Sequence, residues 1–530
     1  MTPTDAAIRE KEAKKAKLEA TEAQVDEKLA QIGKLIARMR EDRGFTQSAL
    51  AEALGTTQSA VARMETGEQN LTTETLVKIG EVLNKEIVRL SNGSLNFKIE
   101  GGRKLSGEIT IKNSKNAAMG LLCASLLNKG RTLLKRMPKI EEVNRILEVL
   151  QSIGVSVKWV GEHSEDLEII PPAKLSLSTL DQEAAMKTRS IIMLIGPLIH
   201  HFKKFRLPQA GGCKLGSRTV APHFYALEKL GVDIVTKSTY YEITAPKLKP
   251  NHVVLYEAGD TVTENAIMAA ALIPGKTTLK FASANYQVQD VCVFLEQLGV
   301  KIEGIGTTTL VVHGIKEINQ NITYHISEDP IEAMFFLAAA IVTKSSITLR
   351  RCPIDFLELE LLKLEKMGFR YKMTKRYKSH NGHTELVDIT TLPSKLRALD
   401  EKIHAQPYPG INMDNLPFFA IIATQAEGET LIHDWCYEKR AIYYKDIDKL
   451  GADTMLADPH RFYVNGPVKL KAAEVICPPA LRPAAILLIG MLAAEGTSVL
   501  RNVYSINRGY EDLAERLNKL GAKITLIKEF

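Results

Sequence analysis

The stretch Lys229-Leu230-Gly231-Val232 ends a helix and opens a strand, and the chain repeats it. The same phrase stands at Ser152-Ile153-Gly154-Val155, Gln297-Leu298-Gly299-Val300, Lys366-Met367-Gly368-Phe369, Lys449-Leu450-Gly451-Ala452 and Lys519-Leu520-Gly521-Ala522. Its spacing is roughly 70 to 80 residues. Each glycine suits the position just past a helix, where a left-handed backbone turns the chain into a strand. In most copies a small-residue helix, a turn and a strand lie upstream, as in Ala270-Ala271-Leu272-Ile273-Pro274-Gly275-Lys276-Thr277 and Leu492-Ala493-Ala494-Glu495-Gly496-Thr497. Helices so rich in alanine read as buried on all sides. Six copies of a unit with two helices and several strands predict a pseudo-symmetric α/β protein, and they set coincidental helix ends aside. The repeat is too long for a solenoid unit. Two lobes of three copies are the natural division, with a ligand in the cleft between them.

At 530 residues the chain exceeds one hydrophobic core, and about three domains are expected. The apolar and charged fractions, 45% and 25%, are those of an ordinary soluble protein. A net charge of +7 is mild; it fits an anionic ligand or nucleic acid, and equally a solvated surface. The six cysteines form no C-x-x-C pair, so neither zinc nor a disulfide framework is expected, and no metal or cofactor is called for. No apolar run is long enough for a membrane helix, and the charged start lacks the apolar core of a secretory signal. These features predict a reduced, cytoplasmic protein with no membrane partner.

The N-terminal part differs in kind. Residues 1–30, rich in Ala, Glu and Lys, read as a charged helical arm. Across 31–90, Ile32, Leu35, Ile36 and Met39 mark one amphipathic helix. Gly44-Phe45-Thr46-Gln47 opens a second, with Thr46 as N-cap, Leu50, Ala51 and Leu54 on its inner face, and Gly55 at its end. Thr56-Thr57-Gln58-Ser59 caps a third, carrying Val61, Arg63 and Met64. Leu71, Leu76, Ile79 and Leu83 continue the core. Residues 91–94, Ser-Asn-Gly-Ser, read as a linker.

The most chemically pointed stretch is Gly211-Gly212-Cys213-Lys214-Leu215-Gly216-Ser217-Arg218, with His223 just beyond. It sets one thiol in a glycine-rich loop beside two cations. Neighbouring positive charge lowers a thiol's pKa and makes it reactive. A benign loop thiol is the plain alternative.

Residues from about 95 to 530 resemble the enolpyruvyl transferases, most closely the branch that acts on UDP-N-acetylglucosamine. The resemblance is carried by Gly107-Glu108-Ile109-Thr110-Ile111 with Lys115-Asn116-Ala117-Ala118, the cysteine loop, Asp414, Tyr437-Glu438-Lys439-Arg440, Arg482 and Asn507-Arg508-Gly509-Tyr510-Glu511. It implies a two-lobed inside-out α/β barrel of six repeated units, which agrees with the count above. It further implies a discontinuous C-terminal lobe of residues 95–114 and 329–530, and a cysteine-loop lobe of residues 115–328. The implied reaction moves enolpyruvate from phosphoenolpyruvate to the 3′-hydroxyl of UDP-N-acetylglucosamine, by addition and then elimination of phosphate.

The roles that follow are likewise implied by the resemblance. Arg189, Arg218, Arg440, Arg482 and Arg508, with Lys115, would hold the anion, since guanidinium forks match carboxylate and phosphate; a surface ion pair is the alternative for any single arginine. Cys213 would act as general acid toward the enolpyruvyl group, with covalent addition as a second role. Asp414 would take the proton of the sugar hydroxyl, or else cap the helix that follows it. Asn116 would hydrogen-bond the reacting groups. His223 would contact the nucleotide, with capping or packing as the alternative. Asp329 and Glu332 stand at the lobe junction, Asp329 among the substrate-binding positions. Three departures stand out. Ala480 replaces an aspartate two residues before Arg482, Ala221 replaces one before His223, and the cysteine loop is longer by about two residues. A different acceptor, or a weakened catalyst, would follow from these. The sister branch that makes enolpyruvylshikimate phosphate lacks this cysteine loop.

Residues 31–90 are similar to Cro/C1-type helix-turn-helix domains through Thr46-Gln47-Ser48-Ala49-Leu50-Ala51, Gly55 and Gln58–Gly67. In such domains the second helix of the motif lies in the major groove. Gln58 would then pair with adenine, Ser59 and Arg63 would reach bases or phosphates, and Gln47 would anchor a phosphate. A helical bundle for dimerisation or protein contact is the alternative. Two functions remain open at this point: an active cell-wall enzyme with an appended DNA-binding or docking domain, and a regulator whose transferase body senses a ligand.

Overall fold

The computed structural model describes residues 29–30, 32–34, 36–37, 40–41, 45–69, 71–82, 94–162, 165–209 and 219–529. Most of the charged arm, Leu35, Met39, Gly44, Leu83, the linker at 91–93, and the loop with Cys213 and Arg218 lie outside them. The chain divides into two compact units, residues 1–93 and 94–530.

The first unit is helical. Thr46 starts the Gln47–Leu54 helix by accepting from the Ala49 backbone, and Gly55 ends it at φ 65°. Thr57 does the same for Gln58–Thr66 through Ala60, and Gly67 ends that helix at φ 83°. A third helix spans Thr73–Val82. Ile36, Leu50, Ala51, Val61, Met64 and Ile79 form the core. Two glycines permit close backbone packing. A Cβ on Gly33 would stand 2.5 Å from the Glu65 carbonyl oxygen, and one on Gly67 2.5 Å from Cα of Ala30. Leu29 and Ala30, read from sequence as arm, therefore already belong to the packed unit. Beneath the helices Arg40 forks onto Glu65 at 2.6 and 3.1 Å.

In the second unit the repeated glycines do what their sequence context requires. Gly154, Gly231, Gly299, Gly368, Gly451 and Gly521 all have φ between 82° and 100°. After each, the next residue's N–H returns to a carbonyl in the last helical turn, as Val155 to Leu150 and Val300 to Leu295. Six sheets result. Five share one plan, an edge strand parallel to its neighbour followed by antiparallel strands. In the sheet built on Gly275–Lys280, His252–Val254 is the parallel edge and Thr309–Gly314 then Lys301–Glu303 are antiparallel. The Lys204–Pro208 sheet has three strands and no parallel edge among the described residues. Ser94, read as linker, already pairs with Glu529 at the start of the Ser94–Gly101 strand.

The apolar core falls into two clusters, one running from Ala117 to Ile326 and one joining Phe97–Ile111 to Ile331–Ile524. The small-residue helices lie inside them. Every residue of Pro330–Val342 and of Leu416–Ala423 is buried, and Lys115–Ala124, Asp260–Ala271 and Leu481–Ala493 are nearly so. These helices carry most of their polar side chains in their first turns, where the chain enters the core; Glu264 and Asn265, in the second turn of Asp260–Ala271, are buried exceptions.

Candidate active site at the lobe junction

Those first turns supply the site. Asp414 precedes the Leu416–Ala423 helix in a turn fastened from below. Its N–H donates to Asn412 Oδ1 at 2.8 Å, and the buried Glu360 accepts from the Asn412 N–H and the Asn415 amide at 3.1 and 2.9 Å. The Asp414 carboxylate makes no capping bond. It faces Arg482 Nη2 at 3.1 Å and Arg440 Nη1 at 3.6 Å. Burial would raise its pKa, but Arg482, Arg440 and Lys115 outweigh it and hold the carboxyl below its ordinary range.

Arg482, the second residue of its buried helix, has no acid nearby in sequence; it takes Asp414 on one side and donates to the Tyr510 hydroxyl at 2.8 Å on the other. Arg440 departs from expectation. It is 1% exposed, grips Asp434 at 2.6 and 2.9 Å, and donates to the Met413 carbonyl at 2.6 Å. A guanidinium spent in this way fixes the Asp414 turn instead of offering a fork to an anion.

From the other lobe, Lys115 starts the Lys115–Ala124 helix and its ammonium lies 3.0 Å from Glu142, whose second oxygen is 3.9 Å from Arg508. Glu142 thus binds cations from both lobes. Burial pushes its pKa up, but Lys115 and Arg508 bring the net shift down. Nothing in the local sequence marks this residue, because Glu141-Glu142 at a helix start reads as an ordinary dipole-compensating pair. Asn116 donates to the Tyr286 hydroxyl at 3.2 Å. Arg189 donates to the Thr219 carbonyl at 3.0 Å, at the far end of the cysteine loop.

His223 does not join this group. It is 4% exposed, with Nδ1 3.1 Å from the Asn265 amide and Nε2 3.4 Å from the Thr261 hydroxyl. Burial, helped by Arg189, pushes its pKa down to about 3. Both nitrogens are engaged inside the protein, so packing, not nucleotide contact, is the role this geometry carries. Asp329 acts as a cap, accepting from the Ile331 and Glu332 N–H groups at 2.8 and 3.3 Å. Burial raises its carboxyl to about 6 against the pull of Arg482. Glu332 pairs with Arg516 and accepts from the Lys112 N–H. Ala480, wholly buried, starts its helix with no side-chain cap. Beside Asp414 a small cavity is lined by Asp260, Asn285, Phe356, Gln406, Tyr408 and Asn412, and no Lys or Arg among the described residues lines it.

Residues 99–517 match the family model for EPSP synthase (3-phosphoshikimate 1-carboxyvinyltransferase). The chain belongs to the enolpyruvyl transferases. It is 33% identical to a UDP-N-acetylglucosamine 1-carboxyvinyltransferase of Bradyrhizobium diazoefficiens, over 82% of this chain and 99% of that protein. It is 34% identical to the protein of the same name from Treponema denticola, over 81% and 98%. Among solved structures, the enolpyruvyl transferase NikO from Streptomyces tendae superposes with a TM-score of 0.73 at 23% identity, covering 82% of this chain and all of that one. EPSP synthase from Acinetobacter baumannii gives 0.64 at 18%, covering 82% and 100%. These two likenesses show that the second unit has the two-lobed enolpyruvyl transferase fold. No helix among the described residues is long and apolar enough to cross a membrane.

Residues 36–90 match the helix-turn-helix family model. In this unit of the transferase, Gln58, Ser59 and Arg63 are exposed on the Gln58–Thr66 helix. Gln47 is more constrained than expected: its amide nitrogen donates to Glu65 at 2.9 Å and its oxygen accepts from Gln58 at 3.3 Å. The buried Arg40–Glu65 pair thereby orients both glutamines.

Proposed function

We propose that the chain transfers enolpyruvate from phosphoenolpyruvate to the 3′-hydroxyl of UDP-N-acetylglucosamine, releasing phosphate, and so opens the synthesis of the peptidoglycan precursor. The observation that carries this reading is the Asp414 carboxylate held ionised against Arg482, beside Lys115 from the opposite lobe. Support for the acceptor comes from the named relatives, which the chain matches along nearly their whole length.

In this reading Arg482, Arg508, Arg189, Arg218 and Lys115 hold the phosphate and carboxylate of phosphoenolpyruvate. Arg440 serves through the Asp414 turn. A carboxylate held low in pKa is a weak base, so the order of events matters. The bound trianion draws Arg482 and Lys115 onto itself, which lets the Asp414 pKa rise toward that of a useful base. Asp414 then takes the hydroxyl proton as the acceptor oxygen bonds to C2 of phosphoenolpyruvate. Cys213 delivers a proton to C3, giving a tetrahedral ketal. Loss of a proton from C3 and of phosphate from C2 restores the double bond. Asn116 hydrogen-bonds the reacting groups, and Asp329 stands against Arg482 at the edge of the site.

Mass spectrometry of the nucleotide sugar after incubation with phosphoenolpyruvate tests the acceptor: the expected product carries one enolpyruvyl group. Unchanged UDP-N-acetylglucosamine, with phosphate still released to another acceptor, would replace it. Ala480 favours that second outcome, because an uncapped buried helix start is where an acid would order the substrate. Fosfomycin, an epoxide that mimics phosphoenolpyruvate, is expected to alkylate Cys213 and to leave Cys213→Ala unmodified.

The N-terminal unit supports a second activity, DNA binding through Gln58, Ser59 and Arg63 with Gln47 as their support. One such domain holds a half-site weakly, so a dimer is expected to bind. A salt-dependent gel shift that weakens in Gln58→Ala/Arg63→Ala tests it; unchanged binding would remove this helix from the interface.

A further inference from the structure

Nothing in the sequence around Tyr286 marks it for function, yet its hydroxyl is where the chain secures Asn116. Tyr286 is the first residue of the Tyr286–Gln297 helix, which follows the Asn285 cap, and it is 1% exposed. Its hydroxyl receives two hydrogen bonds, from Ser114 Oγ at 3.1 Å and from Asn116 Nδ2 at 3.2 Å. Ser114 is the N-cap of the helix that carries Lys115 and Asn116, and its oxygen accepts from the N–H groups of Asn116 and Ala117. One phenol therefore holds both the helix start and the side chain projecting from it. Its ring is held from the other lobe: Phe356 packs edge-on at 5.6 Å, and Phe356 in turn meets Tyr408 at 5.0 Å, just ahead of the Asn412–Asp414 turn.

This arrangement decides which end of the Asn116 amide is available. The nitrogen is committed to Tyr286. The oxygen has no hydrogen bond to a described residue, and it is not a buried orphan, so it reaches open space at the lobe junction. A carbonyl oxygen set there accepts a hydrogen bond from a hydroxyl or N–H of the bound substrate. Without the phenol the amide is free to turn, and half of its orientations present the wrong group.

We propose that Tyr286 is a positioning residue for the transfer, fixing the Asn116 amide with its carbonyl oxygen toward the substrate. The proposal rests on the placement of Asn116 in the transferase machinery. Tyr286→Phe removes only the hydroxyl and keeps the ring contacts. It is expected to lower kcat about tenfold with KM for phosphoenolpyruvate within about twofold of the parent. Asn116→Ala is expected to cost more. If Tyr286 acts through Asn116, the double variant Tyr286→Phe/Asn116→Ala is no slower than Asn116→Ala alone. Additive losses, or full kcat in Tyr286→Phe, would overturn the proposal while leaving the transferase reading intact. If the parent shows no turnover, the transferase reading fails by itself. The same cycle, read by the calorimetric Kd of UDP-N-acetylglucosamine, then decides the coupling: non-additive losses support it and additive ones overturn it. A parent that neither turns over nor binds overturns both.

Discussion

The two lobes use the same helix starts for opposite chemistry. In the cysteine-loop lobe the first residues of the repeated buried segments are Lys115, Arg189 and Asp260. In the C-terminal lobe the corresponding entries are Asp329, Asp414 and the Ala480–Arg482 turn. One lobe is mostly cationic there, the other mostly acidic, with one arginine set between its two carboxylates. Within the C-terminal lobe the acids diverge further. Asp329 points at backbone N–H groups and caps its helix, whereas Asp414 stands one residue further out and points at guanidinium groups. The fold repeats its backbone six times, and a shift of one residue at a helix start separates a cap from a candidate base.

That contrast is sharpest under substitution. Asp414→Asn is expected to reduce phosphate release by about 10³-fold, as loss of a proton acceptor does, with little change in melting temperature. Asp329→Asn is expected to keep most turnover and most of the melting temperature, because an asparagine still caps the helix; comparable activity losses from the two would erase the distinction. Arg482→Lys comes next, at about 10²-fold in kcat/KM, since an ammonium cannot reach Asp414 and Tyr510 together. Arg482 holds the Asp414 carboxyl low, so Arg482→Gln, which removes the charge, raises that pKa and moves the acid limb of the kcat/KM profile to higher pH. An acid limb that does not move would detach Asp414 from the rate.

A smaller effect concerns stability. Glu264, in the core of the cysteine-loop lobe, has no hydrogen-bond partner for either carboxyl oxygen. Burial, with Asp260 and Asp290 adding repulsion, raises its pKa well above the ordinary value. An acid raised in the folded state binds its proton more tightly there than when unfolded. It is neutral in both states at low pH, and stability is lost as pH rises above the unfolded value toward the folded one. Glu264→Gln is expected to match the parent near pH 4 and to melt higher at pH 8. An equal difference at both values would mean that the carboxyl is not the cause. Smallest is Thr57→Ala, which removes an N-cap and should cost about 1 kcal/mol, read as earlier melting of the helix-turn-helix unit.

The fold was largely legible in the sequence, because glycine past a helix end is a local demand: Gly231 and its five counterparts must take positive φ wherever they recur. The helix-turn-helix caps were legible for the same reason. The site was legible only as a set of residue types. That Asp414 meets Arg482, 68 positions on, depends on two helices being packed side by side. That Arg440 is consumed by Asp434 depends on a buried turn. Glu142 and Tyr286 were missed because each looks ordinary in its own helix, and only the junction of the lobes gives them partners.

The central claim is that the lobe junction turns over phosphoenolpyruvate with Asp414 as the base. Phosphate release from phosphoenolpyruvate, with and without UDP-N-acetylglucosamine, measures it directly in the parent, Cys213→Ala and Asp414→Ala. Acceptor-dependent release by the parent, lost in both variants, is the predicted result. Binding of both ligands with no release, or release by Asp414→Ala at the parent rate, would contradict it.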